Sequence, residues 1–126
     1  MSKQTLQLLN QDFTIHSLDS DESIPKSVLN AEIFFIAKTD EELSIVCPSE
    51  IKLNSFAAER HWRALEVVGP LGFSLTGIMA NISGVLANAN VSIFAMSTYD
   101  TDFILVKDQQ IDVAIQALKK DGYMVL

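Results

Sequence analysis

The side chains that could do chemistry are densest in Ser97-Thr98-Tyr99-Asp100-Thr101-Asp102. Hydroxyls from Ser97, Thr98 and Tyr99 crowd two carboxylates, Asp100 and Asp102, where a tight turn needs only one Asp. Carboxylates accept charge-assisted hydrogen bonds, so this cluster suits a ligand ammonium or guanidinium as well as it suits a solvated hairpin. A second group is the bend Val68-Gly69-Pro70-Leu71-Gly72-Phe73-Ser74, which opens the most periodic apolar stretch of the chain. A helix N-terminus carries unpaired N–H groups, and amides from Gly72 through Ser74, Leu75 and Thr76 could receive a small carboxylate. The bend has no Lys for a β/γ-phosphate, and its glycines do not follow the dinucleotide pattern. The bland alternative is a chain reversal in which Pro70 fixes one torsion and Gly72 frees another. Taken together, the two groups suit a zwitterion: its carboxylate at the helix start, its amine or a basic side chain at the acidic turn.

Covalent catalysis is the stronger claim to test. A nucleophile needs a base, and the base needs an orienting group. The one cysteine, Cys47, precedes Pro48, and the two histidines are His16 in a strand-like run and His61 beside Trp62. No local motif couples them. Cys47 reads as a small buried side chain and His16 as a hydrogen-bonded or surface residue. A lone cysteine can form neither an internal disulfide nor a zinc site. The expectation is therefore no catalytic residue, no metal and no cofactor.

The elements that must position these groups come from periodicity. Leu75, Ile78, Met79, Ile82, Val85, Leu86 and Ala89 lie on one helical stripe, predicting a helix over Ser74–Ala89 with Ser74 as cap and Asn90 beyond its end. Ile111, Ala114, Ile115 and Leu118 predict a second over Asp108–Asp121, with Asp108 as N-cap and Gly122 as stop. Eight runs read as strands: Thr5–Leu9, Phe13–Ser17, Ile33–Lys38, Leu43–Cys47, Trp62–Val68, Val91–Thr98, Phe103–Lys107 and Tyr123–Leu126. From Trp62 onward the order is that of a ferredoxin-like βαββαβ unit. Displacing the chain against itself by about 60 residues pairs Phe34 with Phe94, Asp40 with Asp100 and Leu43 with Phe103. The first half has only a short helix, around Pro25–Leu29. The fold class is thus α+β: two ferredoxin-like units in tandem, antiparallel sheets with helices on one face, the first abridged. The units are 1–61 and 62–126, joined through Pro48–His61.

Charge and hydropathy narrow the function classes. A net charge of −7 would repel a phosphate backbone, so no nucleic acid is expected. Gly77–Met96 is long enough for a membrane span, but Asn81, Ser83, Asn88, Asn90 and Ser92 interrupt it, so no membrane is expected. Met1–Leu9 has no signal-peptide core, which predicts a cytoplasmic protein.

The runs Gly69-Pro-Leu-Gly-Phe-Ser-Leu-Thr-Gly-Ile-Met79 and Ser92-Ile-Phe-Ala-Met-Ser-Thr-Tyr-Asp-Thr-Asp-Phe-Ile-Leu-Val-Lys107 resemble the ACT domain. Within that superfamily they are similar to small tandem-ACT proteins related to the cytosolic arginine sensors called CASTOR. Asp12-Phe-Thr-Ile-His16 and Thr39–Pro48 look like the first half of those proteins. The resemblance implies a non-catalytic regulatory module that binds an amino acid between ACT units. By position, Gly72, Leu75 and Met79 would line the pocket, and Thr98, Tyr99 and Asp102 would complete it. Leu75 stands where an acidic residue would help hold a guanidinium, so the ligand's identity stays open. The competing class is an ACT scaffold without a ligand, acting through protein contacts. The apolar terminal strand Tyr123–Leu126 is an unguarded edge, which predicts a homodimer.

Overall fold

A computed structural model of the chain describes residues 3–68 and 77–126. Its elements are β1 (Thr5–Leu18), α1 (Lys26–Leu29), β2 (Phe35–Lys38), β3 (Leu43–Pro48), β4 (Ala57–Val68), α2 (Ile78–Asn88), β5 (Ile93–Ser97), β6 (Asp102–Lys107), α3 (Ile111–Lys120) and β7 (Met124–Val125). Two of these correct the sequence reading. Thr5–Leu9 and Phe13–Ser17 are one strand, because the polar run Asn10-Gln11-Asp12 carries its backbone straight on instead of turning. Trp62–Val68 begins five residues earlier, at Ala57, through residues whose mostly exposed side chains conceal any alternation.

The chain divides into two compact units, Gln11–Trp62 and Met1–Asn10 with Arg63–Leu126. Residues 1–10 therefore group with the C-terminal unit, not with 11–61. The division falls inside both long strands, so β1 and β4 each give one half to each unit. β4 reaches into both by being 12 residues long, with His61 at φ +68° just before the division.

In the C-terminal unit the strand order is β7-β1-β4-β6-β5. β5 and β6 pair antiparallel from Ile93↔Val106 to Ser97↔Asp102. β7 pairs parallel with β1, and Leu126 closes that edge with N–H to Leu6 O (2.8 Å) and O to Leu8 N–H (2.9 Å). Leu6, Leu65, Val67, Ile104 and Val106 meet Ile82 and Leu86 of α2 and Ala114 and Leu118 of α3 in one core. Each large side chain buried there contributes about 1.5–3 kcal/mol. Both helices lie against this one face, as their single apolar stripes require. α3 starts at Ile111, after a 3-10 turn over Asp108–Gln110, so Asp108 makes no cap bond. Asn90 (φ +61°) and Gly122 (φ +102°) end the helices in left-handed backbone, as their types predict.

In the N-terminal unit the order is β2-β3-β1-β4. Leu18, Val28, Leu43, Ile45 and Cys47 form its core, joined by Ile24, Phe34, Ile36, Ile51 and Leu53. The β2–β3 and β5–β6 hairpins close alike. The Thr39 N–H donates to Glu42 O (2.9 Å) and the Glu42 N–H to Thr39 Oγ1 (3.1 Å). The Thr98 N–H donates to Thr101 O (2.8 Å) and the Thr101 N–H to Thr98 Oγ1 (3.1 Å). Thr39 thus matches Thr98, and Leu43 matches Asp102, one residue away from the sequence pairing of Leu43 with Phe103. The structural pairing keeps Ile45 and Ile104 both facing their cores; a one-residue slip would turn every side chain to the wrong face.

Candidate functional site

The acidic turn is built by the last rung of the β5–β6 ladder. Ser97 and Asp102 stand opposite each other, and the Ser97 hydroxyl donates to Asp102 Oδ1 at 2.6 Å. One carboxylate oxygen is thereby oriented. Thr98 fills the turn by donating its own hydroxyl to Thr101 O (3.2 Å). Tyr99 and Asp100 project from the tip, Tyr99 at 81% exposure. The Thr101 hydroxyl donates to Val67 O, tying the turn to the end of β4, two residues before Gly69.

Gly72, Ser74, Leu75 and Thr76 lie outside the described residues. Past them, Gly77 is left-handed (φ +81°) with no described residue within 4 Å of where a Cβ would be, and its carbonyl accepts the Asn81 N–H (2.9 Å). Met79, in the first turn of α2, is half-buried against the unit's core. Ser97, Thr98, Tyr99, Asp100 and Asp102 are therefore brought together on one turn.

A polar cluster at the start of α2 has no local sequence signal. Asn81 Nδ2 donates to the Tyr123 hydroxyl (2.5 Å) and to Asp121 Oδ2 (3.2 Å). The same carboxylate accepts Lys3 Nζ at 2.7 Å, and that ammonium lies 5.2 Å from the Tyr123 ring centroid. Hydrogen bonds from Lys3 and Asn81 pull the Asp121 carboxyl below its usual range, and Asp121 in turn raises the Lys3 amine. These residues join the stretch just before β1, the first turn of α2 and the segment that follows α3.

The two groups that could supply nucleophilic chemistry are perturbed in opposing directions. Burial pushes the Cys47 thiol up. Burial, and then the positive charge of Arg60, push His16 down. Both shifts favour neutral forms, so a thiolate–imidazolium pair is disfavoured from each side. His16 Nδ1 instead meets Ser55 Oγ at 2.9 Å. Among the described residues, no helix is long and apolar enough to cross a membrane.

The family described as ACT domain matches residues 57–120, and a separate N-terminal-domain family matches 11–51. The mouse protein named cytosolic arginine sensor for mTORC1 subunit 1 is 37% identical over 82 residues, which is 64% of this chain and 24% of that protein. The chain spans about a quarter of the length of the curated sensors it matches. The crystal structure of protein Atu0741 from Agobacterium tumefaciens is 29% identical with a TM-score of 0.91, covering 100% of this chain and 94% of that one. The regulatory subunit of aspartate kinase from Thermus flavus shares the fold: TM-score 0.68 at 9% identity, over 95% and 98% of the two chains.

Proposed function

The chain belongs to the ACT domain family, and on that premise we propose that it is a non-catalytic regulatory module for a free amino acid. The observation that carries this reading is the Ser97–Asp102 rung, an oriented carboxylate tied through Thr101 to the end of β4. The ligand ammonium binds Asp102 and the hydroxyls of Ser97, Thr98 and Tyr99. Its carboxylate binds the amides at Gly72, Ser74, Leu75 and Thr76, with Met79 against its side chain and a further ACT unit closing the site. Similarity to a protein named as an arginine sensor supports an amino-acid ligand. It also supports action in the cytoplasm. The directions in which Cys47 and His16 are shifted support a role without catalysis.

The matching hairpin closures support a tandem arrangement, in which Gln11–Trp62 is an abridged ACT-like unit without its second helix. A homodimer forms through the β7 edge, where Met124 and Leu126 are 61% and 64% exposed. Thermal unfolding in the presence of each free amino acid tests the ligand. One or a few raise the midpoint in a concentration-dependent way. A flat response to all twenty overturns the binding reading in favour of a scaffold acting through protein contacts alone.

A further inference from the structure

We propose that the segment Ser49–Phe56 is an acid-opened strap: protonation of His16 releases it from β1 and uncovers Cys47. The segment has no regular secondary structure, yet it alternates like a strand: Ile51, Leu53 and Ser55 turn inward, while Glu50, Lys52, Asn54 and Phe56 are exposed. Ile51 and Leu53 pack on the cluster that contains Cys47. Both ends are fastened to β1. The Ser49 N–H donates to Asp12 O (2.9 Å), and the Ser49 and Thr14 hydroxyls are 2.7 Å apart. At the far end the Phe56 N–H donates to Ser17 O (2.8 Å), and Ser55 Oγ meets His16 Nδ1.

His16 is the weak fastening. It is 3% exposed, and its Nε2 is buried without a hydrogen-bond partner among the described residues. Neutral imidazole tolerates this as the tautomer in which Nδ1–H donates to Ser55 and Nε2 is a bare acceptor. A proton added at Nε2 becomes a buried charged donor with nothing among the described residues to accept it, which is costly. The charged side chain acting on His16 is Arg60 of β4, which opposes a second positive charge. From β3 the titratable neighbour is Cys47, one rung along the same face, since Thr14 pairs with Cys47 and His16 with Ile45. Asp12 of β1, Lys26 of α1, Glu50 and Lys52 of the strap and Glu59 of β4 are exposed to solvent. The open form takes up the proton more readily, so opening is suppressed above about pH 6.5 and grows as pH falls below it.

The readout is the rate at which Cys47 in the full chain reacts with a dithiodipyridine, divided at each pH by the rate for the urea-unfolded chain. From pH 7.5 to 5.5 the ratio rises by up to about tenfold. His16→Gln keeps a donor for Ser55 without a titrating ring and flattens the profile. Ser55→Ala raises the ratio at every pH and keeps the slope. A flat wild-type profile, or an unchanged slope in His16→Gln, overturns the proposal. Should His16→Gln misfold, NMR of the wild type decides: the amides of Ser49, Ser55 and Phe56 shift together with the His16 ring while Leu86 does not. Shifts of Leu86 in step would mean global unfolding and equally overturn it.

Discussion

Replacing Asp102 by Ala separates the carboxylate's scaffold role from its binding role. In the unliganded chain the substitution removes one acceptor, that of the exposed Ser97 hydroxyl 2.6 Å away, which water replaces. That costs about 0.5–1 kcal/mol. If the same carboxylate holds a ligand ammonium, a charge-assisted bond worth about 2 kcal/mol disappears, and Kd rises roughly 30-fold. At a ligand concentration of about 100 times the wild-type Kd, the ligand stabilises the wild type by about 2.7 kcal/mol; for the variant the same expression leaves about 0.9 kcal/mol. For a chain of this size that is a midpoint shift of about 10 °C falling to about 3–4 °C. The assay is differential scanning fluorimetry of wild type and variant, each with and without the ligand found by screening. Asp100→Ala is the internal control, since Asp100 lies at the exposed tip outside the Ser97–Asp102 rung and should leave the shift intact. A full ligand shift in Asp102→Ala, with only the small unliganded loss, would refute the assignment of the amine to this turn.

The remaining expectations concern stability, each read by denaturant unfolding. Leu86→Ala empties a fully buried position between α2 and the sheet and should cost about 2–5 kcal/mol. Gly122→Ala places a Cβ 3.6 Å from Lys3 Cγ, an ordinary contact, so its loss of about 1–2 kcal/mol should come from φ +102° alone. Gly84→Ala, in the middle of α2 with no described residue within 4 Å of the new Cβ, should instead stabilise by about 0.5–1 kcal/mol. Tyr123→Phe removes the hydroxyl that accepts from Asn81 and should cost about 1 kcal/mol, with Asn81 keeping its bond to Asp121.

What could be read beforehand was whatever depends on residues near one another in sequence. Ile111, Ala114 and Leu118 are buried as their spacing required, and Asn90 and Gly122 stop their helices. The Thr98–Asp102 turn forms where hydroxyls and carboxylates crowd together. The polar run Asn10-Gln11-Asp12 misled because a turn and a solvent-facing stretch of strand favour the same residues; partner strands decide between them, and those lie elsewhere in the chain. Ala57–His61 misled for the complementary reason, since its mostly exposed side chains leave nothing to alternate. The strap over Cys47 did carry a legible period of two in Ile51, Leu53 and Ser55, but it sat in a stretch read as a linker between units. The Lys3–Asp121–Asn81–Tyr123 cluster had no local signal, because its members come from the two ends and the middle of the chain.

The two hairpins show which acidic residues a turn needs and which it does not. Both begin with a Thr whose backbone and hydroxyl close the turn, and both carry acid between the strands: Asp40, Glu41 and Glu42 in one, Asp100 in the other. Acid at the tip is therefore common to the scaffold and says little about a ligand. The rung below the tip differs. It is Lys38 opposite Leu43 in the N-terminal unit, where Leu43 is buried in the core and Lys38 reaches Ser20 O. In the C-terminal unit the same rung is Ser97 opposite Asp102, a half-buried carboxylate held by a hydroxyl in place of an apolar side chain. A hairpin of this design folds with leucine at that position, so its closure does not call for the carboxylate of Asp102. Of the acidic side chains in the two hairpins, Asp102 is the one whose position requires an explanation beyond folding.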